Sequence, residues 1–282
     1  MTVQIPAPIP LEEEASLLNR AQQGDQAAFT SLVEPWRAPL FGYIYRMTTQ
    51  RQDAEDLLQD VLVRVLESLP QFRREARFKS WLFGIATHVC LDHLRRKKRW
   101  RVEAQMIGER EARETPGAGE VLRALVAKPE FRFEIREHIA FCFACIARTL
   151  PPVEQAALLL REMLEFTAEE SAAILNISEP AFRHRLAAAR AAMTQAYEGL
   201  CQLINKTGAC WQCRGLRELA PEQNRGSDLV QIEVAPGLAV TAENLLDARL
   251  RIGREADLEN GRTRTMHDLF YQSLANREES RP

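Results

Sequence analysis

Between Ala54 and Leu69 the apolar residues Ala54, Leu57, Leu58, Val61, Leu62, Val65, Leu66 and Leu69 recur at steps of three and four. That spacing gathers them on one face of an α-helix, whereas a strand would scatter them to both sides. A face this long must be buried against other elements, so it predicts a helical module. Pro70 closes the helix. Upstream, "GDQAAFTSLVEPWRAPLFGYIYRMT" reads as two shorter helices broken near Pro35 and Pro39. Downstream, "FKSWLFGIATHVCLDHLRR" places Trp81, Leu82, Ile85, Val89 and Leu94 on a buried side. One helical module therefore fills about residues 11–101.

The 282 residues allow two domains. Residues 102–133 lose periodicity and contain the Pro/Gly-bearing "EARETPGAGE", so they read as a flexible linker with a short helix at 119–127. A second helical module follows at 134–200. Residues 201–282 form a small mixed extension. In it "DLVQIEVAPG" alternates like a strand, while "TAENLLDARLRIG" and "TMHDLFYQSLA" read as amphipathic helices. The fold class expected is all-α: two helical modules, a linker and this extension. The opening "MTVQIPAPIPLEEE" has no signal-peptide pattern, and no apolar run reaches the roughly 20 residues of a membrane span. A cytoplasmic chain without membrane association is the expectation.

Net charge is only −2, but it is segregated. Between Gln71 and Arg101 stand ten Lys/Arg against two acidic residues, Glu75 and Asp92. Such a local basic cluster beside aromatic residues is the footprint of a nucleic-acid site. A second signal lies in "EFTAEESAAILNISEPAFRHRLAAARAAM". Thr167 and Glu170 make a capping-box pattern, Ala172 and Ala173 allow a close helix crossing, and Asn176 suits a left-handed turn. Ser178 caps a new helix with Pro180 in its first turn. This is a helix-turn-helix pattern. Its second helix would present Ser178, Glu179, Ala181, Arg183 and His184 to the major groove, with Arg185 and Arg190 reaching bases or phosphates.

Three stretches in this order resemble the ECF (extracytoplasmic-function) sigma factors of bacterial RNA polymerase. "GDQAAFTSLVEPW" and "DAEDLLQDVLVRVLESLPQFRREARFKSWLFGIATHVCLDHLRRKKR" are similar to the family's second conserved region. "RTLPPVEQAALLLREMLEFTAEESAAILNISEPAFRHRLAAARAAM" is similar to its fourth. The resemblance spans roughly residues 15–200. It implies that the basic segment binds the −10 promoter element as single-stranded DNA, with a base flipped into a pocket. Phe78, Trp81 and His88 would then line or stack on that base, and Lys79, Arg95, Arg96, Lys97 and Lys98 would meet phosphates. It further implies that the helix-turn-helix reads the −35 element. Asp53, Asp56, Gln59 and Asp60, off the apolar face and free for a partner, would grip core RNA polymerase. An anti-sigma factor or other regulator is a further partner of this class. Where the family often carries an extra Arg, this chain has Ala188.

No phosphate loop, Gly-x-Ser-x-Gly or His-Glu-x-x-His occurs, so no enzyme and no required cofactor are expected. Six cysteines stand apart from the family pattern. His138, Cys142 and Cys145 share one helical stripe, and Cys201 precedes the pair Cys210 and Cys213. Two Cys-x-x-Cys pairs could hold zinc if the extension folds back, or act as a thiol switch. Alternatively, Cys142 and Cys145 are ordinary core residues, as Cys90 is read to be. The competing functions are a stand-alone helix-turn-helix regulator with a metal- or redox-sensing site and a thiol oxidoreductase. The second lacks the βαβ context that its chemistry needs.

Overall fold

A computed structural model of the chain describes residues 9–97, 135–200 and 241–256, together with Glu120, Ala124, Gly237 and Ala239. The first module is built from α1 (Leu11–Gln22), α2 (Gln26–Thr48), α3 (Arg51–Ser68), a 3-10 turn (Leu69–Gln71) and α4 (Phe78–Arg96). Asp25 starts α2 by accepting the backbone N–H groups of Ala27 and Ala28, while Arg20 holds its other oxygen. Thr49 in the left-handed region ends it. The break expected at the prolines does not occur: α2 runs unbroken through Pro35 and Pro39. Each proline removes one helical bond at a cost of about 3 kcal/mol. Burial of Leu32, Val33, Trp36, Leu40, Phe41, Tyr43 and Ile44 along the same helix outweighs that cost.

The second module contains α5 (Ile135–Ala147), α6 (Pro152–Glu162), α7 (Ala168–Leu175) and α8 (Glu179–Leu200). Among the described residues no strand occurs, and the one described element of the extension is a further helix, α9 (Ala242–Glu255). The expected helix at 119–127 is described only at Glu120 and Ala124, both helical. The expected strand in 228–237, apart from Gly237, and the helix in "TMHDLFYQSLA" lie outside the described residues.

The modules do not sit apart. Phe83 of α4 meets Phe166 edge-on at 5.4 Å, and Tyr45 of α2 meets Phe141 of α5 at 6.3 Å. Both modules thus contribute to one apolar core. A polar key joins them as well. The last carbonyls of α2 have no partner within the helix. Gln155 of α6 donates to two of them, Arg46 and Met47, at 3.0 and 3.1 Å. The extension then closes over this junction, with α9 packed on α5 and α8.

Candidate nucleic-acid interface

The basic segment begins in the loop between the 3-10 turn and α4. Gln22 of α1 donates to the carbonyls of Leu69 and Phe72, fixing the loop's entry. Arg74 adopts a left-handed conformation, and its guanidinium donates to Asn19 and Gln22 at 2.6 and 2.9 Å. Phe72 stacks on Trp81 at 4.6 Å, with Phe78 filling the third corner at 5.8–6.3 Å. Within this cluster Trp81 is only partly buried, whereas Phe78 is 1% exposed. Phe78 therefore acts as the floor that sets Trp81's position and offers no surface for a base to stack on.

Trp81, His88 and Arg95 are spaced by seven residues, so they follow one stripe of α4 with a drift of about 20° per step. His88 and Arg95 are exposed, as is Arg96. His88 contacts the Gly84 carbonyl through Nδ1 at 2.8 Å, and Arg95 pairs locally with Asp92 at 2.7 Å. The stripe thus offers an aromatic face, a polar ring and a cation in succession. Lys98 lies outside the described residues.

Lys79 and Lys97 behave differently from the sequence expectation. Lys79 turns its ammonium over the Phe166 ring at 4.2 Å and donates to the Leu164 carbonyl at 3.3 Å, both in the second module. Desolvation lowers its pKa, opposed in part by the nearby Glu170 and Glu165. Lys97 lies 3.5 Å from Asp53. The sequence reading counted Arg73, Arg74 and Arg77 in the basic cluster but named none of them, nor Phe72, as a site residue; all three arginines are exposed. Their signal was the run "FRREAR" itself, whose loop position leaves its cations in solvent.

Asp53 is also not free for a partner. It accepts from His93 Nε2 at 3.2 Å, which with the His93 and Lys97 charges holds its carboxyl below the usual range against burial. Asp56, Gln59 and Asp60 are exposed on α3. Beside them Val63 and Leu66 are 54% and 44% exposed, so Leu66 leaves the apolar face on which its spacing placed it. Acidic, amide and aliphatic groups thus lie side by side on the exposed side of α3.

The helix-turn-helix is formed by α7, a left-handed Asn176 and α8. The capping box is complete: Glu170 N–H donates to Thr167 Oγ1 at 3.1 Å, and Thr167 N–H donates to Glu170 Oε2 at 2.9 Å. The other Glu170 oxygen accepts from Ser80 of α4 at 3.2 Å, tying the motif to the first module. Burial alone would raise the Glu170 carboxyl. The Thr167 donors, Ser80 and the Lys79 charge outweigh it and hold the group below its ordinary value. Ser178 Oγ accepts from the Ala181 N–H at 3.4 Å at the start of α8.

On α8 the early residues are open. The Arg183 side chain is 70% exposed and pairs with Glu179, one turn away; His184 is exposed and Ala181 half-buried. Arg185 is half-buried, 4.0 Å from Glu154. Arg190, seven residues beyond Arg183 on the same stripe, is only 21% exposed. Its guanidinium pairs with Glu162 at 2.7 Å and with Asp247 of α9 at 2.5 Å. Despite the desolvation that opposes its charge, those carboxylates raise its pKa.

The cysteine stripe is largely inside. Cys145 and Cys90 are buried, and Cys142 is half-buried. His138 is buried, and desolvation pushes its pKa down to about 4, so the ring is neutral near pH 7. Among the described residues no three His, Cys, Asp or Glu side chains are grouped to hold a metal ion. Cys201, Cys210 and Cys213 lie outside them. Among the described residues no helix is long and apolar enough to cross a membrane.

Comparison with known proteins places these elements. Sigma-70 region 2 matches residues 32–100, and Sigma-70 region 4 matches residues 140–193. The ECF RNA polymerase sigma factor SigG of Mycobacterium tuberculosis is 32% identical over 179 residues, covering 60% of this chain and 48% of that protein. The chain thus spans about half the length of this relative. The RNA polymerase sigma-H factor of Pseudomonas aeruginosa is 28% identical over 189 residues, covering 67% of this chain and 96% of its own. A solved structure of CnrH in complex with the cytosolic domain of CnrY aligns at 20% identity and a TM-score of 0.47, covering 66% of this chain and 97% of that one. Region 2 falls on α2–α4 and region 4 on α5–α8, so the chain carries matches to both Sigma-70 regions in the order the sequence laid them out, and it is similar to ECF sigma factors along them.

Proposed function

We propose that this chain is a promoter-recognition subunit that binds core RNA polymerase, reads −35 and −10 elements and helps open the DNA. One observation carries the reading. A single chain presents both a single-strand reader, the Trp81–His88–Arg95 stripe, and a duplex reader, the first turns of α8. A duplex regulator has no use for the first of these. Stacking a flipped base on Trp81 would return about 1–3 kcal/mol, comparable to the few kcal/mol that extrusion costs. Arg183 and His184 would face base edges, and the cations of the Arg73–Arg77 loop would meet backbone phosphates. The exposed Asp56, Gln59, Asp60, Val63 and Leu66 of α3 are the surface offered to polymerase. The chemistry of synthesis would belong to the polymerase, and this chain would act in the cytoplasm as its guide rather than as an enzyme.

Transcription reconstituted from core polymerase, the purified chain and genomic fragments tests this. New start sites that depend on the chain, and that weaken with Trp81→Ala, are expected. Absence of chain-dependent starts, with binding of intact duplex by the chain alone, would replace the reading with a stand-alone regulator.

A further inference from the structure

Helix α9 lies beyond both matched regions, which end at residue 193, yet it is anchored to both modules. Leu246 and Leu250 are 1% exposed, and the helix lies against α5 and α8. Arg249 is buried and places its guanidinium over the Tyr197 ring at 4.2 Å. At the carboxy end of α9, Arg46 of α2 donates to the Gly253 carbonyl at 2.9 Å, and Arg254 pairs with Glu165 at 3.0 Å. A side chain at Gly253 would meet Met163 at 3.4 Å, so the helix passes close to the end of α6. Arg46 also belongs to the α2 terminus that Gln155 grips, so α9 is fastened to the point where the modules meet.

The acidic side of α9 carries a second message. Asp247 and Glu243 approach Arg190 at 2.5 and 3.9 Å, on the recognition-helix stripe that begins with Arg183. With Glu162 of α6 at 2.7 Å, these carboxylates surround the guanidinium. At the same junction Lys79 and Ser80, at the start of the single-strand reader, are engaged by Phe166, Leu164 and Glu170 of the second module. One docked helix therefore accompanies the covering of cations on both readers.

We infer that the surface formed by α5, α8 and the α2 terminus is a helix-docking site whose occupant is this chain's own α9, and that the docked helix holds the two modules closed and masks Arg190 from DNA. This inference rests on the proposed function for its consequence but not for its geometry. A closed form that cannot engage promoter reduces apparent affinity by the fraction of molecules that are open. Release of α9 is then the step that frees the two readers for promoter DNA, while the α3 face stays open with the helix docked.

The test uses the full chain with dyes on α1 and α8, core polymerase and a promoter fragment. Leu246→Glu puts a charge into the docking surface; Asp247→Asn with Glu243→Gln removes only exposed carboxylates and leaves the core alone. Leu246→Glu is expected to lengthen the dye separation and raise promoter-complex formation about tenfold. The double neutral variant leaves Glu162 as the carboxylate partner of Arg190 and is expected to raise DNA affinity severalfold and steepen its salt dependence by up to about one phosphate contact. Unchanged separation in a helical, cooperatively folded Leu246→Glu chain would overturn the docking. Lengthened separation with no gain in promoter complexes, where the wild type binds polymerase, would overturn the inhibitory role. Failure of every form, wild type included, to bind polymerase would instead overturn the proposed function and the inhibitory role with it, while the dye separation would still report the docking.

Discussion

The proposed amino-terminal reader on α4 and the proposed carboxy-terminal reader on α8 hold their cations in opposite ways. Arg95 and Arg183 are paired one turn away on their own helices, with Asp92 and Glu179. Such exposed local pairs are worth only about 0.3–0.5 kcal/mol and give way readily to a phosphate or a base. Lys79 and Arg190 are held by groups distant in sequence, in the other module and in the extension. Freeing these requires elements to move. The contrast separates residues that are ready to bind from residues whose binding is conditional on the chain's conformation.

The largest effect should come from the core that joins the two readers. Phe83 is fully buried and touches Trp36, Tyr43 and Phe166. Phe83→Ala should cost about 3–5 kcal/mol and lower the melting of both modules together. If only the first module lost stability, the shared core would be refuted.

Next is the capping box that orders the second reader. Thr167→Ala should cost about 1 kcal/mol in thermal unfolding. Because Glu170 also accepts from Ser80, the same change should loosen the contact with α4, visible as faster amide exchange there. Protection of α4 unchanged would mean that the capping residue does not couple the readers.

A smaller effect follows from pH. Asp53 and Glu170 have carboxyls held below their ordinary values, so the unfolded chain binds their protons at a higher pH than the folded one. Their stabilisation is complete above the ordinary carboxylate range, about pH 4, and is lost as pH falls through the lowered folded values. Asp53→Asn should flatten the acid limb of a stability-against-pH curve; an unaltered limb would show that the His93 pair contributes nothing.

The smallest effect on stability should accompany a large one on recognition. Arg183→Ala should change stability by no more than about 0.5 kcal/mol, because its side chain is exposed. The same change should weaken binding to one base pair of the −35 duplex by about 1–3 kcal/mol. Uniform weakening across all sequences would reassign Arg183 to phosphate contact.

What the sequence could and could not disclose follows the same division. Patterns that act within a few residues were legible: the α3 periodicity, the Thr167–Glu170 cap, the left-handed Asn176 and the start of α8 at Ser178. The continuity of α2 through Pro35 and Pro39 was not, because burial on either side overrode a local rule. Nor could spacing show that Leu66 faces outward, that Asp53 is claimed by His93, or that Phe78 lies beneath Trp81. Those outcomes depend on which helix arrives opposite. The docking of α9 was hidden for the same reason, since its partners Arg46, Tyr197 and Arg190 lie tens to hundreds of residues away.

The most direct measurement is the binding of the full chain to bacterial core RNA polymerase, compared with a chain carrying Asp60→Lys and Val63→Asp on the exposed face of α3. The account predicts a one-to-one complex with the unaltered chain and a marked loss of affinity in the variant, with its helical content intact. Absence of a complex with the unaltered chain, or equal binding by both, would contradict it.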